Sequence, residues 1–235
     1  MASSPLITYA PLLWQGAKVT LKLTATALVF GSAAGIVVGL ARASRRWWLR
    51  LPAMLFIGTF RSIPILLQLF FAYYALPLLF HIDVPQYAAA TLALSVYCGA
   101  YMAEVVRSAV GAVELGQRAG AAALGLNRLQ AFVYVVWPQA LRVGIPAAVG
   151  VYVMTLKDSS LASVIGYLEL TGTGVAVREI DPASGSFTVL LGVGGIYFVM
   201  AWIISLCGQL LERRLAVPGF GTVRSRRVRS VTTVA

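Results

Sequence analysis

The sequence predicts an all-α integral membrane protein with five transmembrane helices, an external N-terminus and a cytoplasmic C-terminus. Of the 235 residues, 59% are hydrophobic and only 11% are charged, whereas a soluble domain carries about a quarter charged residues. The hydrophobic residues form runs long enough to cross a bilayer, which takes roughly 20 residues of helix. Arginine clusters between alternate runs set the orientation, because cytoplasmic loops are rich in Lys and Arg.

The net charge of +11 does not indicate a nucleic-acid partner. The basic residues stand beside apolar runs, where such residues orient membrane helices and contact anionic headgroups. We therefore expect these residues to meet membrane lipid and no nucleic acid.

The first span is predicted over residues 21–41, after a short interfacial segment over residues 9–19 that holds Trp14 near the headgroups. Residues 42–50 follow with four arginines and no acid. This loop is therefore cytoplasmic, and the N-terminus is outside.

The first span carries a ladder of small residues. Gly31, Gly35 and Gly39 recur at a spacing of four, which lets a second helix approach closely in lipid. The partner helix belongs either to the same subunit or to a neighbouring one.

The second span is predicted over residues 51–80, with an interruption between Arg61 and Pro64. Pro64 removes a backbone donor and disfavours helix at the residue before it, so the span is kinked or preceded by a separate short helix. Arg61 either lines a pathway or extends to the cytoplasmic surface. Gln68 and Tyr73 lie deeper and are candidates for a transmembrane pathway.

The third span is predicted over residues 87–106. Tyr97, Tyr101, Glu104 and Arg107 form one helical stripe, in which Glu104 and Arg107 can pair. An acid at the end of a transmembrane helix indicates either a functional group or a salt bridge to the next loop.

Residues 113–137 interrupt the apolar pattern and are predicted to form two short helices around a glycine bend at the cytoplasmic surface. We interpret this segment as a docking element for a soluble partner. The residues expected to form or support the contact are Glu114, Gly116, Arg118, Ala119, Gly120, Ala121, Leu124, Gly125 and Pro138.

The fourth span is predicted over residues 138–156, followed by Lys157 and Asp158, which can neutralise each other. Ser159 is expected to cap a short helix over residues 161–170, and a flexible turn is expected at residues 171–174.

A polar external loop at residues 178–182 leads to the fifth span, predicted over residues 187–211. The tail, residues 213–235, is rich in arginine and has no acid, so it is cytoplasmic. Five spans satisfy the charge bias of every loop.

The chain lacks the motifs of common catalytic sites. It has no phosphate-binding GxxxxGK[ST], no HExxH and no GxSxG, and its only histidine, His81, has no second ligand nearby. We expect no enzyme activity and no metal site. Transport then needs an ion gradient or a separate ATPase. The lack of a visible repeat and of mid-span acids favours the ATPase, while a secondary carrier or a scaffold subunit remains as an alternative.

Residues 116–142, GQRAGAAALGLNRLQAFVYVVWPQALR, resemble the EAA loop of ABC-importer permeases. Further similar segments are FRSIPILLQLFF (60–71), AYMAEVVRSAV (100–110), WPQALRVGIP (137–146) and LKDSSLASVIGYLELT (156–171). Together they resemble the polar-amino-acid branch of that family. The resemblance implies the MetI-like transmembrane domain of a type I importer.

The resemblance also implies the partners. They are an ATPase dimer that binds ATP and Mg, a second permease subunit, identical or different, and an extracytoplasmic amino-acid-binding protein. The location implied is the bacterial cytoplasmic membrane. Within the family, an opine or a quaternary amine is an alternative substrate.

The loop departs from the family pattern at its name-giving acid. Ala119 stands in place of the glutamate, Gly120 in place of the first alanine, and Trp137 in place of the leucine before Pro138. A second permease with an intact motif, or contacts from Glu114 or Arg118, would replace what this acid provides.

A zwitterionic substrate needs hydrogen-bond donors for its carboxylate and acceptors for its ammonium. The residues expected to line its pathway are Gln68, Tyr73, Tyr97, Tyr101, Glu104, Lys157, Asp158 and Ser159.

Overall fold

The computed structural model describes residues 5–180 and 186–215, and these residues form helices joined by short connections. We number the helices in chain order. They are α1 (Pro5–Ala43), α2 (Trp47–Ser62), α3 (Ile65–Phe80), α4 (Gln86–Ala112), α5 (Leu115–Ala123), α6 (Arg128–Ile165), α7 (Leu170–Ile180) and α8 (Ser186–Leu215).

Four helices of the described chain, α1, α4, α6 and α8, are long and apolar enough to cross a membrane. The pair α2 and α3 supplies a fifth span if it is counted as one, but it is bent by 103° at residues 63–64. The architecture is therefore all-α and agrees with the predicted fold class.

The interfacial segment predicted at residues 9–19 is not separate from the first span. Helix α1 runs without a break from Pro5 to Ala43, because Leu13 and Ala17 are buried against Leu170 of α7 and Val193 of α8. Tertiary contacts thus extend the helix beyond the apolar run.

The glycine ladder of α1 packs inside the subunit, against α4. A Cβ atom added at Gly35 would lie 2.5 Å from Met102 Cβ, and one added at Gly39 would lie 2.6 Å from Ala103 O. The two backbones approach closely, so only glycine fits these positions. Of the two alternatives for the ladder, the structure supports packing within one subunit.

The bend between α2 and α3 is stabilised by hydrogen bonds from one side chain, that of Gln68. Pro64 cannot continue the hydrogen-bond ladder. The Gln68 Nε2 atom donates to Phe60 O at 2.9 Å and to Ile63 O at 3.0 Å. These bonds satisfy carbonyls that the end of α2 leaves without a helical partner.

The segment after α6 differs from the prediction. Residues 159–165 continue α6 as a 3₁₀ turn, and residues 171–174, expected to be a flexible turn, belong to α7. Arg178 and Glu179 end α7 and are not loop residues. Asp181 and Pro182 of the predicted loop lie outside the described residues, as do residues 216–235 of the predicted tail.

Candidate functional site

A cleft of about 380 Å³ opens between the end of α2, α4 and α6. Arg61, Tyr101 and Glu104 line it together with small apolar residues of α6. The Arg61 guanidinium lies over the Tyr101 ring, 5.0 Å from its centre, which is a cation–π arrangement. Arg61 therefore faces the cleft and is one of its lining residues.

The predicted pair of Glu104 and Arg107 is confirmed. Arg107 Nε donates to Glu104 Oε1 and Oε2, each at 3.0 Å, and Arg107 Nη2 also donates to Oε1. The two side chains are 28% and 40% exposed, so the pair sits at an open edge of the cleft. The carboxylate keeps free lone pairs that a cation could use.

Tyr97 extends the same stripe toward the outer half of α4. Its ring centre lies 4.8 Å from that of Tyr101, and its hydroxyl donates to Met154 Sδ of α6 at 3.8 Å. One turn after Met154, Asp158 has a buried Oδ2 atom with no hydrogen-bond partner in the described chain. The stripe of α4 and the acid of α6 thus belong to one side of the bundle.

Lys157 is exposed and forms no ion pair with Asp158 in the described part of the chain, so their mutual neutralisation stays a prediction. The predicted role of Ser159 is wrong. Ser159 does not cap a new helix, because its Oγ donates to Leu156 O at 2.7 Å and the side chain is fully buried. Continuous helical hydrogen bonding explains this, since α6 passes through Ser159 without a new start.

Gln68 and Tyr73 do not line this cleft. Gln68 closes the bend described above, and Tyr73 stacks edge-on against Tyr74 at 4.8 Å. Tyr73 also packs against the buried cluster that contains Leu23 and Leu69. Their place in a pathway stays a prediction.

His81 ends α3 in a left-handed conformation, with φ 53°. No group of three His, Cys, Asp or Glu side chains in residues 8–180 and 187–215 is arranged to hold a metal ion.

Helix α5 forms the first half of the predicted docking segment and is held from one side. Arg118 Nη2 donates to Val110 O near the end of α4 at 2.7 Å, and Gln139 Nε2 of α6 donates to Gln117 Oε1 at 3.2 Å. Ala121 is buried beneath the helix. The two bonds fasten α5 to two spans at once.

The other side of α5 faces outward. Leu115 is 80% exposed and Leu124 is 83% exposed. Glu114 stands at the N-cap and makes no capping bond with its side chain. The predicted contact residues Gly116, Arg118, Ala119 and Gly120 lie on or beside this exposed surface. Exposed leucines in a polar setting indicate an interaction surface.

Gly125 ends α5 in the left-handed region, with φ +77°. Leu126 N donates to Ala121 O and Gly125 N donates to Ala122 O, which is the Schellman arrangement that favours glycine. Asn127 and Gln130 then form a reciprocal capping box, with bonds of 2.9 Å in each direction.

The second half of the segment is not a separate short helix, as predicted, but the start of α6. Helix α6 begins at Arg128 and passes through a π turn at Ala131–Val136 into the membrane span. Pro138 has no N–H for the carbonyl of Tyr134, and the widened turn precedes it directly. The docking segment is therefore continuous with the fourth span.

Glu169 is a buried acid that the sequence analysis missed. It is fully buried between α1, α7 and α8. Thr171 N and Gly172 N donate to it at 2.9 Å each, and Tyr197 Oη donates at 2.6 Å. Thr20 Oγ1 donates to it at 3.2 Å. The only signal was a lone acid in an apolar stretch.

Glu169 lies in the connection between α6 and α7, outside the membrane-spanning segments. Burial raises the pKa of its carboxyl, while the hydrogen bonds, first that from Tyr197, favour the charged form. The carboxylate caps α7 and links it to Thr20 of α1 and Tyr197 of α8 by hydrogen bonds. Residues 171–174 are helical for this reason.

A comparison with known families decides what kind of protein carries these features. Residues 27–217 match the model of the family described as binding-protein-dependent transport system inner membrane component. The chain belongs to this family. It is a multi-pass permease subunit of an ABC importer in the inner membrane.

The permease is similar to curated relatives along most of its length. It is 36% identical to the glutamine transport system permease protein GlnP of Escherichia coli K12 over 211 residues, which covers 88% of this chain and 94% of GlnP. It is 33% identical to the octopine transport system permease protein OccM of Rhizobium radiobacter, covering 85% of this chain and 87% of OccM.

A solved structure agrees with the fold. The crystal structure of an amino acid ABC transporter with histidines superposes with a TM-score of 0.82 at 32% identity, covering 89% of this chain and 96% of that chain. The resemblance of the EAA-like loop to ABC permeases is thereby confirmed at the level of the family.

Proposed function

We propose that this permease forms part of the pathway for a polar amino acid in an ATP-driven importer, and that a separate ATPase dimer binds ATP and Mg and drives it. The observation that carries the proposal is the geometry of α5. Its underside is fastened to two spans by Arg118 and Gln117, while Leu115 and Leu124 are exposed. A short helix held in this way can transmit the motion of a bound partner.

The contacts of α5 define the route of that motion. The Arg118 bond reaches Val110 near the cytoplasmic end of α4, and α4 carries Tyr101 and Glu104 of the cleft. The Gly125 turn leads directly into α6, which carries Asp158. Movement of α5 as a rigid body would therefore change the distance between the two faces of the cleft.

The chemistry of the cleft suits a zwitterion. Glu104 can accept hydrogen bonds from an ammonium group, and Arg61 can donate to a carboxylate. The relatives are named for glutamine and octopine, and both molecules contain ammonium and carboxylate groups. These names and the cleft support a polar amino acid as substrate.

An opine is the second candidate substrate. The similarity to the octopine permease OccM is almost as high as that to GlnP. Uptake assays with a purified extracytoplasmic binding protein would distinguish the two, since the binding protein must release its ligand to the cleft.

The absence of the family's glutamate at position 119 affects which subunits can assemble with this chain. Ala119 is exposed and cannot make a charged contact with an ATPase. We propose that a second, different permease carries the acid, or that Glu114, exposed at the start of α5, takes its place. If the two permease subunits are identical, the acid must be replaced by Glu114.

Purification of the full chain from native membranes tests the proposed function. We expect an ATPase and a second permease to copurify, and ATP hydrolysis to rise when loaded binding protein is added. Uptake by the purified permease alone, driven by an ion gradient, would contradict the proposal and favour a secondary carrier.

The pathway residues are tested by alanine at Tyr97, Glu104 and Asp158, with Phe198→Ala, exposed on α8, as the control. We expect each pathway variant to reduce uptake about tenfold or more, since a lost charge-assisted hydrogen bond costs about 1.5–3 kcal/mol. Unchanged uptake in all three would remove these residues from the pathway.

A further inference from the structure

A second cavity, of about 550 Å³, lies at the cytoplasmic end of the bundle. It is enclosed by the end of α1, by α4, by α5 and by the start of α6. Arg45, Arg118 and Arg128 line it together with apolar side chains that include Val110 and Phe132. The cavity thus has a basic part and an apolar part.

The charge of the cavity is not neutralised by the chain. None of its lining residues is an acid, and the ion pair found in the described residues is that of Glu104 with Arg107. Arg118 uses one N–H for Val110 O, and a guanidinium has five. Three exposed guanidinium groups around one cavity, with no acid in its lining, favour the binding of an anion there.

The height of the cavity in the membrane indicates the kind of anion. Arg45 precedes Trp47 and Trp48, which are 73% and 53% exposed. Exposed tryptophans beside arginines mark the headgroup level of the cytoplasmic leaflet. The anions present there, with an apolar chain that could contact Phe132, are acidic phospholipids.

We propose that this cavity binds one anionic phospholipid, with its phosphate between Arg45 and Arg128 and an acyl chain against Phe132 and Val110. Basic pockets between helices on the cytoplasmic side suit such headgroups. The bound lipid joins the end of α1 to the segment that carries α5. It therefore stiffens the coupling element, and its absence weakens the link between ATP hydrolysis and uptake.

The test uses the full chain with its copurified ATPase in nanodiscs of phosphatidylcholine alone or of an equal mixture with phosphatidylglycerol. Native mass spectrometry after detergent release counts the retained lipid. The variant is Arg45→Gln with Arg128→Gln. The matched control is Arg46→Gln with Arg50→Gln, which removes the same charge from residues that do not line the cavity.

We expect the parent chain and the control to retain phosphatidylglycerol and not phosphatidylcholine. The cavity variant should bind phosphatidylglycerol about 30-fold more weakly, because each arginine near the surface contributes about fivefold. Arg45→Lys with Arg128→Lys should restore most of the binding, which separates a charge effect from a folding defect.

Three results would overturn the proposal. The cavity variant and the control could lose lipid equally, which would indicate a general surface attraction. Inorganic phosphate could displace the lipid completely, which would indicate a site for a free anion. The cavity variant could lose the ATPase and keep the lipid, which would assign the arginines to the docking contact.

Discussion

Glycines in two regions of the permease serve opposite purposes. In α1, Gly35 allows the backbone to touch α4, and an added Cβ atom would lie 2.5 Å from Met102 Cβ. In α5, Gly120 has nothing within 4 Å of such an atom. The first glycine makes close helix packing possible, whereas the second only lowers the stability of a helix exposed to water.

The two glycine positions distinguish a rigid pair of helices, α1 packed on α4, from the marginally stable helix α5. The contact of α1 with α4 buries Ala103 and Cys98 completely. Helix α5 has only nine residues, and isolated helices of that length are not stable in water. Within the described chain, its stability depends on the Arg118 bond to Val110 O and on the Gly125 turn.

The largest effect should come from Gly35→Val. We expect the free energy of unfolding to fall by about 3 kcal/mol or more, because overpacking at a backbone contact forces the helices apart. Unfolding of the purified permease in a sodium dodecyl sulfate titration measures this change.

Gly120→Val is the matched control for Gly35→Val, and it should change the same free energy by less than about 0.5 kcal/mol. Equal losses of unfolding free energy in the two variants would show that the contact of α1 with α4 is no more tightly packed than the surface of α5.

Glu169→Ala should have the next largest effect, on the outer end of the rigid body. It leaves Thr171 N, Gly172 N and Tyr197 Oη without their acceptor, and an unsatisfied buried donor costs about 1–3 kcal/mol. We expect a loss of about 2 kcal/mol and faster hydrogen exchange at the start of α7.

The control for Glu169→Ala is Glu179→Ala, at the exposed end of α7, which should leave both quantities unchanged. Slow exchange in the Glu169 variant would mean that α7 forms without its cap.

Gly125→Val tests the turn that joins α5 to α6. A β-branched residue at φ +77° costs about 1–2 kcal/mol, so the turn should lose its conformation while the spans remain folded. We expect ATP hydrolysis by the complex to continue while uptake falls about tenfold.

Gly111→Val serves as the control for Gly125→Val, because Gly111 is also exposed near the cytoplasm but is helical. Coupled uptake at the parent level in the Gly125 variant would argue against the role of this turn.

The smallest effect is expected from Gly120→Ala, and its sign should be opposite to that of Gly39→Ala. Alanine at the exposed position should stabilise α5 by about 0.5–1 kcal/mol, seen as slower hydrogen exchange of its amides. At Gly39 the same methyl group would lie 2.6 Å from Ala103 O and should destabilise the bundle. The same sign at both positions would contradict the distinction between the two regions.

The class of the protein, its long spans and its likeness to ABC permeases were all predictable from the sequence. Hydrophobicity over about 20 residues and the positions of arginines can be read locally along the chain. The pairing of Glu104 with Arg107 was predictable for the same reason, because the two residues are three positions apart in one helix. The Gly125 bend was also predictable, because a residue type that tolerates positive φ stands between two helical patterns.

The tertiary structure decided what depends on distant partners. Gly35 meets Met102 and Glu169 meets Thr20 and Tyr197, and no local pattern relates these positions. The same holds for Leu13 and Ala17 of α1, which are buried against α7 and α8. Sequence alone thus determined which segments enter the membrane, while packing decided which of them form a rigid body and left α5 exposed.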